Sequence, residues 1–165
     1  MFVSQKGEPS PTYEMIMNRL PIINQRSFYS GGIPKTAETM PNYRESYDKM
    51  LDVVADLFRR GVAIVLGTDG LPGFLYHRES ELYEKSGIPA SEVLKLATIK
   101  SAEITGVAES YGSIEEGKKA DLILIDGNPL ENLSDIRKIE WTMKGGNIYY
   151  AQELYDVMGI AHDDE

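Results

Sequence analysis

Cysteine is absent from these 165 residues, and histidine occurs only twice. The first absence rules out disulfides and thiolate-held metal centres and weakly favours a reducing compartment. With two histidines there is no His-x-His and no His-Glu-x-x-His, so an imidazole-built metal site has too few ligands here. The glycine-rich GxGxxG and GxxxxGK[ST] patterns are missing, and Gly145-Gly146 is not a phosphate loop. No GxSxG elbow supports a serine nucleophile. No apolar run approaches the roughly 20 residues of a membrane span. The polar stretch Met1–Ser10 lacks the apolar centre of a signal peptide, so a soluble, cytoplasmic chain is expected.

Positive charge is also in short supply. Seventeen Lys and Arg face 26 Asp and Glu, a net charge of −9, which argues against a nucleic-acid partner because phosphates repel an acidic surface. A hydrophobic share of 42% is enough for a globular core but the length is short for a whole enzyme of many α/β units. There is no internal repeat and no low-complexity tract.

What is present centres on Val62-Ala63-Ile64-Val65-Leu66, an apolar, β-branched run that leads into Gly67-Thr68-Asp69-Gly70. Such a run predicts a strand covered on both faces, as in a parallel sheet under helices. Chemistry in α/β folds gathers at the C-terminal ends of such strands, where Asp69 sits. A carboxylate there suits a divalent cation or proton transfer; a turn or helix-capping aspartate is the plainer alternative. His77, eight positions on, enters the same cleft or packs on the surface. His162 belongs to a polar, solvated tail. Trp141 and the tyrosines are spread through apolar positions and read as core.

Around this run the periodicity predicts a helix over 42–60, with an Asn42/Glu45 capping box and an apolar face of Tyr43, Tyr47, Met50, Leu51, Val54, Leu57 and Phe58. Further helices are expected over 76–86, after Pro89, over 99–105 with Thr98 as cap, and over 152–158. Ser80 occupies a place where an apolar residue would suit the helix pattern. Gly70, Pro72 and Gly73 predict a tight loop. Strands are expected over 122–125, 139–143 and 148–150, the last two as a hairpin about Gly145-Gly146. Residues 1–41, interrupted by Pro9, Pro11, Pro21, Pro34, Pro41 and Gly31-Gly32, predict an irregular region with a short helix near 12–19 and Met15, Ile16, Leu20, Ile22, Ile23 and Phe28 to bury.

In combination these motifs resemble the metal-dependent amidohydrolases, in particular their imidazolonepropionase-like and prolidase-like branch. The resemblance runs from Gly67-Thr68-Asp69-Gly70 through His77-Arg78-Glu79, Glu81-Leu82, Gly87-Ile88-Pro89, Glu92-Val93-Leu94 and Ala97-Thr98. It continues through Gly112-Ser113-Ile114, Gly117-Lys118, Ala120-Asp121-Leu122, Asp126 and Pro129-Leu130 to Thr142-Met143-Lys144-Gly145-Gly146. It covers about residues 42–160.

The resemblance implies an α/β fold: the last unit of a (β/α)8 barrel over 42–111, part of a small β-sandwich over 112–150, and a terminal helix with an acidic tail over 151–165. It implies hydrolysis of an amide-type C–N bond in a small or dipeptide-like substrate by metal-activated water. The cofactor implied is a divalent metal, often zinc. Asp69 matches the aspartate at the end of the eighth strand, a metal ligand and proton carrier; His77 falls near the substrate; Thr68 and Gly70 shape the backbone around the ligand. The family's first-strand His-x-His, its middle-strand lysine or histidine and its later histidines do not occur in these residues, so this chain alone is expected to hold too few metal ligands. Two partners are therefore expected: a missing N-terminal portion, or a second copy covering the open strand. The alternative to catalysis is a truncated remnant that acts only in assembly.

Overall fold

The computed structural model describes residues 13–29, 40–69 and 73–161. Pro9, Pro11, Gly31-Gly32, Pro34, the turn at Gly70 and Pro72, His162 and the acidic tail lie outside them, as do the side chains of Met15 and Phe28. Among the described residues no helix is long and apolar enough to cross a membrane.

The chain divides into two compact units, residues 1–48 with 151–165, and residues 49–150. The first contains α1 (Glu14–Met17), α2 (Ile22–Tyr29), the start of α3 (Met40–Arg59) and α7 (Ala151–Met158). The irregular reading of this region needs correction, because α2 is two turns of helix. Its sequence, IINQRSFY, has no amphipathic stripe, which is why periodicity did not reveal it, and Ile22 and Ile23 are exposed rather than buried. Arg19 ties the end of α1 to the segment after α7. Its Nε donates to the Ala161 carbonyl at 2.8 Å, Ala161 N–H donates to the Arg19 carbonyl at 2.8 Å, and the guanidinium lies over the Tyr155 ring.

The second unit follows the expected element order. After α3 come an extended segment, α4 (Phe74–Lys85), α5 (Ala90–Ala97) and α6 (Ile99–Ile104). A three-stranded sheet closes it: β1 (Leu122–Ile125), β2 (Ile139–Lys144) and β3 (Asn147–Tyr150), antiparallel in the order β1-β2-β3. The hairpin pairs Lys144 with Asn147 across Gly145 and Gly146, both at positive φ (56° and 84°), as a two-residue turn of primed type requires. A short 3-10 helix, Leu133–Arg137, fills the connection between β1 and β2. Asp135 organises it, accepting hydrogen bonds from Asn128 N–H (3.0 Å), Asn132 Nδ2 (3.0 Å) and Lys138 Nζ (2.9 Å). Asp121 in turn clasps the hairpin through Lys144 Nζ and the Gly145 N–H.

The core joins Leu66, Tyr83, Ile88, Val93, Leu96, Leu133 and Ile136, with Val54, Phe58 and Ile64 packed against it. Three features of the helices differ from the sequence reading. Asn42 lies inside α3, not at its cap. On the same helix Met50 is exposed and Ala55 is buried, so the apolar stripe is rotated slightly toward Ala55. Thr98 turns its hydroxyl back onto the Leu94 carbonyl at 2.7 Å instead of capping α6. Ser80, polar at a core position, is buried but satisfied, because its hydroxyl donates to the Tyr76 carbonyl at 3.1 Å.

The main correction concerns residues 62–66. They are not a paired strand: among the described residues nothing forms a ladder with them. Burial alternates along the segment. Ile64 and Leu66 turn into the core while Ala63 and Val65 face outward, exposed. The apolar composition predicts cover on both faces, but the helices of this unit cover one.

Candidate functional site

In the second unit α4 packs against the 3-10 helix, and the Val65–Leu66 part of the extended segment packs on both. Leu66 anchors the segment in the core, and Gly67, Thr68 and Asp69 then emerge exposed. The Asp69 carboxylate makes no hydrogen bond or ion pair among the described residues. It is an exposed carboxylate three residues beyond the point where Leu66 anchors the segment. The segment is fixed from α4: Tyr83 Oη donates to the Val65 carbonyl at 2.9 Å.

His77 sits in the first turn of α4, where its backbone N–H donates to the Gly73 carbonyl at 3.0 Å. Its side chain is half-buried. Burial lowers its pKa below the usual imidazole value, the Arg137 guanidinium lowers it further, and Glu81 opposes both. The charges that act on His77 thus come from Arg137 and Glu81. The neutral imidazole is the dominant form near pH 7.

The same face of α4 carries a polar cluster that sequence reasoning missed. Glu81 accepts from Arg137 Nε at 2.7 Å, from Arg78 Nη1 at 3.2 Å and from Ser134 Oγ at 3.4 Å. Arg137 also stacks on the Phe74 ring, 4.7 Å from its centroid. Its Nη2 is buried and has no hydrogen-bond partner among the described residues. Burial pushes the Glu81 carboxyl up, but the hydrogen bonds and charges of Arg137 and then Arg78 outweigh it and hold the group below the usual carboxylate range. Glu81 and Arg137 stand 56 positions apart, and each reads alone as a solvated charge, so no local signal announces the pair.

On the opposite face of α4, Glu79 lies among aromatic groups, and burial raises its pKa. Tyr83 is raised by burial and then by Glu79 and Tyr76. Tyr76 holds α4 to the end of α5 through a 3.1 Å hydrogen bond from its hydroxyl to the Ala97 carbonyl.

Among the described residues no three His, Cys, Asp or Glu side chains converge, and the charges that act on His77 are those of Arg137 and Glu81 rather than Asp69. A single carboxylate offers two oxygens where such ions take four to eight ligands. The described residues alone therefore do not make up a metal-binding set.

Residues 16–149 match the amidohydrolase family. A 5'-deoxyadenosine deaminase of Methanobrevibacter smithii is 34% identical over 116 residues, which span 63% of this chain and 26% of that protein. An imidazolonepropionase of Porphyromonas gingivalis is 33% identical over 100 residues, 54% of this chain and 23% of that protein. Among solved structures, a Xaa-Pro dipeptidase with methionine bound in its active site superposes with a TM-score of 0.58 at 31% identity, over 61% of this chain and 25% of that one. The chain spans about a quarter of the length of the relatives it matches.

Proposed function

The chain belongs to the amidohydrolase family, and from that premise we propose that it supplies one catalytic carboxylate, Asp69, to the hydrolysis of a C–N bond in a small amide-type substrate. The observation that carries this reading is the placement of Asp69: exposed, without an ionic partner among the described residues, and at the end of a segment pinned by Leu66 and by Tyr83. A carboxylate so placed accepts a proton from attacking water and returns it to the leaving nitrogen. His77, neutral and one helical turn into α4, adds a substrate-facing donor or acceptor.

The relatives' names support a C–N bond as the target: a deaminase, an imidazolonepropionase and a dipeptidase. The order α3, extended segment, α4 supports a last barrel unit, and the antiparallel sheet supports part of a sandwich. Family members generally use a divalent metal. Zinc is the ion proposed for the complete site, although the described residues here do not fit it unaided.

Complementation tests the reading. The first three quarters of the Porphyromonas imidazolonepropionase, expressed separately, are mixed with this chain, and ring opening of imidazolonepropionate is followed. Activity restored by the wild-type chain and lost with Asp69→Asn supports the proposal. Equal activity with both chains, or none with either, refutes it. The second outcome favours the alternative, a module acting in assembly alone, which the lack of convergent ligands among the described residues also favours.

A further inference from the structure

Asp69 lies on the extended segment and His77 on α4, so a reaction that uses both needs the two elements held in register. Tyr83 joins them. Its side chain is buried with Leu66, Ile88 and Val93 in the core, and its hydroxyl donates to the Val65 carbonyl at 2.9 Å. Leu66, the next residue, belongs to the same cluster. The segment is thus gripped by its backbone at Val65 and by a side chain at Leu66, and Asp69 follows three residues on.

Tyr83 is itself a firm point of reference. Its carbonyl accepts from Ser86 Oγ at 2.7 Å and from the Ile88 N–H at 3.3 Å, which fixes the last turn of α4. Nearer the start of the helix, the Tyr76 hydroxyl donates to the Ala97 carbonyl at 3.1 Å. Two tyrosines therefore tie down the helix that carries His77, which stands about 9 Å from Tyr83 along the axis. The Tyr83 hydroxyl keeps its proton, and so stays a donor, well beyond neutral pH. Burial raises its pKa above the usual phenol value, and Glu79 and then Tyr76 raise it further. A carbonyl oxygen has two lone pairs, so this bond neither needs nor excludes a strand neighbour at Val65. Packing asks only for the ring; the hydroxyl adds a directed bond to the backbone that leads to Asp69.

We propose that the Tyr83 hydroxyl is a positioning group that sets Asp69 against His77, with α4 as their common frame. It touches no reacting atom and acts through Val65. Its bearing on hydrolysis rests on the reading of Asp69 given above; the placement itself does not.

Tyr83→Phe tests this in the full chain, because it removes the hydroxyl and keeps the ring. In the wild type, NMR order parameters over 66–69 are expected near 0.85, as for rigid backbone, with dipolar couplings that fit the frame of α4. In Tyr83→Phe the values at 67–69 fall below about 0.6, while α4 and Val93 are unchanged. Ile136→Val thins the same core without touching the bond and leaves 67–69 as in the wild type. In the complementation assay Tyr83→Phe lowers kcat at least about tenfold and moves KM by less than about twofold, and Ile136→Val changes neither. The proposal is overturned if 67–69 stay ordered in Tyr83→Phe, loosen equally in Ile136→Val, or are already averaged in the wild type. Should Tyr83→Phe fail to fold, the wild type decides: a slowly exchanging Tyr83 hydroxyl proton with a cross-peak to Val65 supports the proposal, and a freely exchanging one overturns it. The two readings fail separately. No activity with the wild type sinks the Asp69 reading and leaves the NMR result to judge the placement. Activity lost with Asp69→Asn but indifferent to Tyr83→Phe sinks the present proposal alone.

Discussion

Removing the Glu81 carboxylate tests what holds the 3-10 helix against α4. Glu81→Ala leaves Arg137 with Nη2 still unpartnered and Nε newly so. An exposed pair of this kind is worth under about 1 kcal/mol. A fully buried one costs about 3–5 kcal/mol to break, because a charge is stranded. Here the two side chains keep only 16% and 19% exposure, and the carboxylate accepts from two guanidinium groups. The expected loss is therefore about 2 kcal/mol, with the Phe74 stack still retaining part of the Arg137 contact. For a chain of this length that corresponds to a fall in Tm of about 6 °C. Urea unfolding followed by circular dichroism measures it, and the double variant with Arg137→Met completes a cycle. Since the stranded charge is then gone, the double variant is expected to recover about 1 kcal/mol relative to the sum of the two single changes. A Glu81→Ala loss below about 0.5 kcal/mol, or strict additivity in the cycle, would refute the idea that this pair clamps the two elements.

The same carboxylate sets an acid limit. Its folded pKa lies below its ordinary value, so its stabilisation is complete above about pH 4.5 and fades as the pH falls through the lower folded value; the stability gap between wild type and Glu81→Gln should close over that acid range and stay constant from pH 5 to 7. Gly112→Ala is expected to cost at least about 2 kcal/mol in urea midpoint analysis, because φ is +95° and a Cβ would stand 2.8 Å from both the Ala102 Cβ and the Ile99 Cα, whereas Gly61→Ala, at φ +69° in open space, should cost about 1 kcal/mol. Leu133→Ala removes a fully buried side chain from the core and should cost about 3 kcal/mol, with collapse of the 3-10 helix seen as faster amide exchange at Asn128.

Some of this architecture could be read residue by residue. The α3 stripe, the Gly87 and Gly106 helix ends and the Gly145-Gly146 hairpin are written in local periodicity and turn chemistry, and the structure carries them with shifts of one or two residues. Other parts were out of reach for definite reasons. Five residues of 3-10 helix give no period to detect, and α2 has no apolar stripe. The Glu81–Arg137 contact links positions that only the fold brings together. Val62–Leu66 looked like a strand because composition reports affinity for a covered site, while pairing depends on a neighbour that the run itself does not contain. Asp69 was visible as a carboxylate at the end of that run, and its exposure without a partner among the described residues agrees with either a ligand or a plain turn. The motif context, not the local pattern, separates those two.

The Asp135 knot has a kinetic side. Joining β2 to β3 closes a two-residue turn, whereas joining β1 to β2 must gather the whole connection 126–138. Loop-closure entropy grows by about 0.6 kcal/mol per doubling of length, so the second pairing begins at a disadvantage of roughly 1.5 kcal/mol. By tying Asn128, Asn132 and Lys138 to one carboxylate, Asp135 shortens the stretch of chain that remains free to wander. The rate at which β1 finds its place is thereby entrusted to a side chain that never touches the sheet's hydrogen bonds.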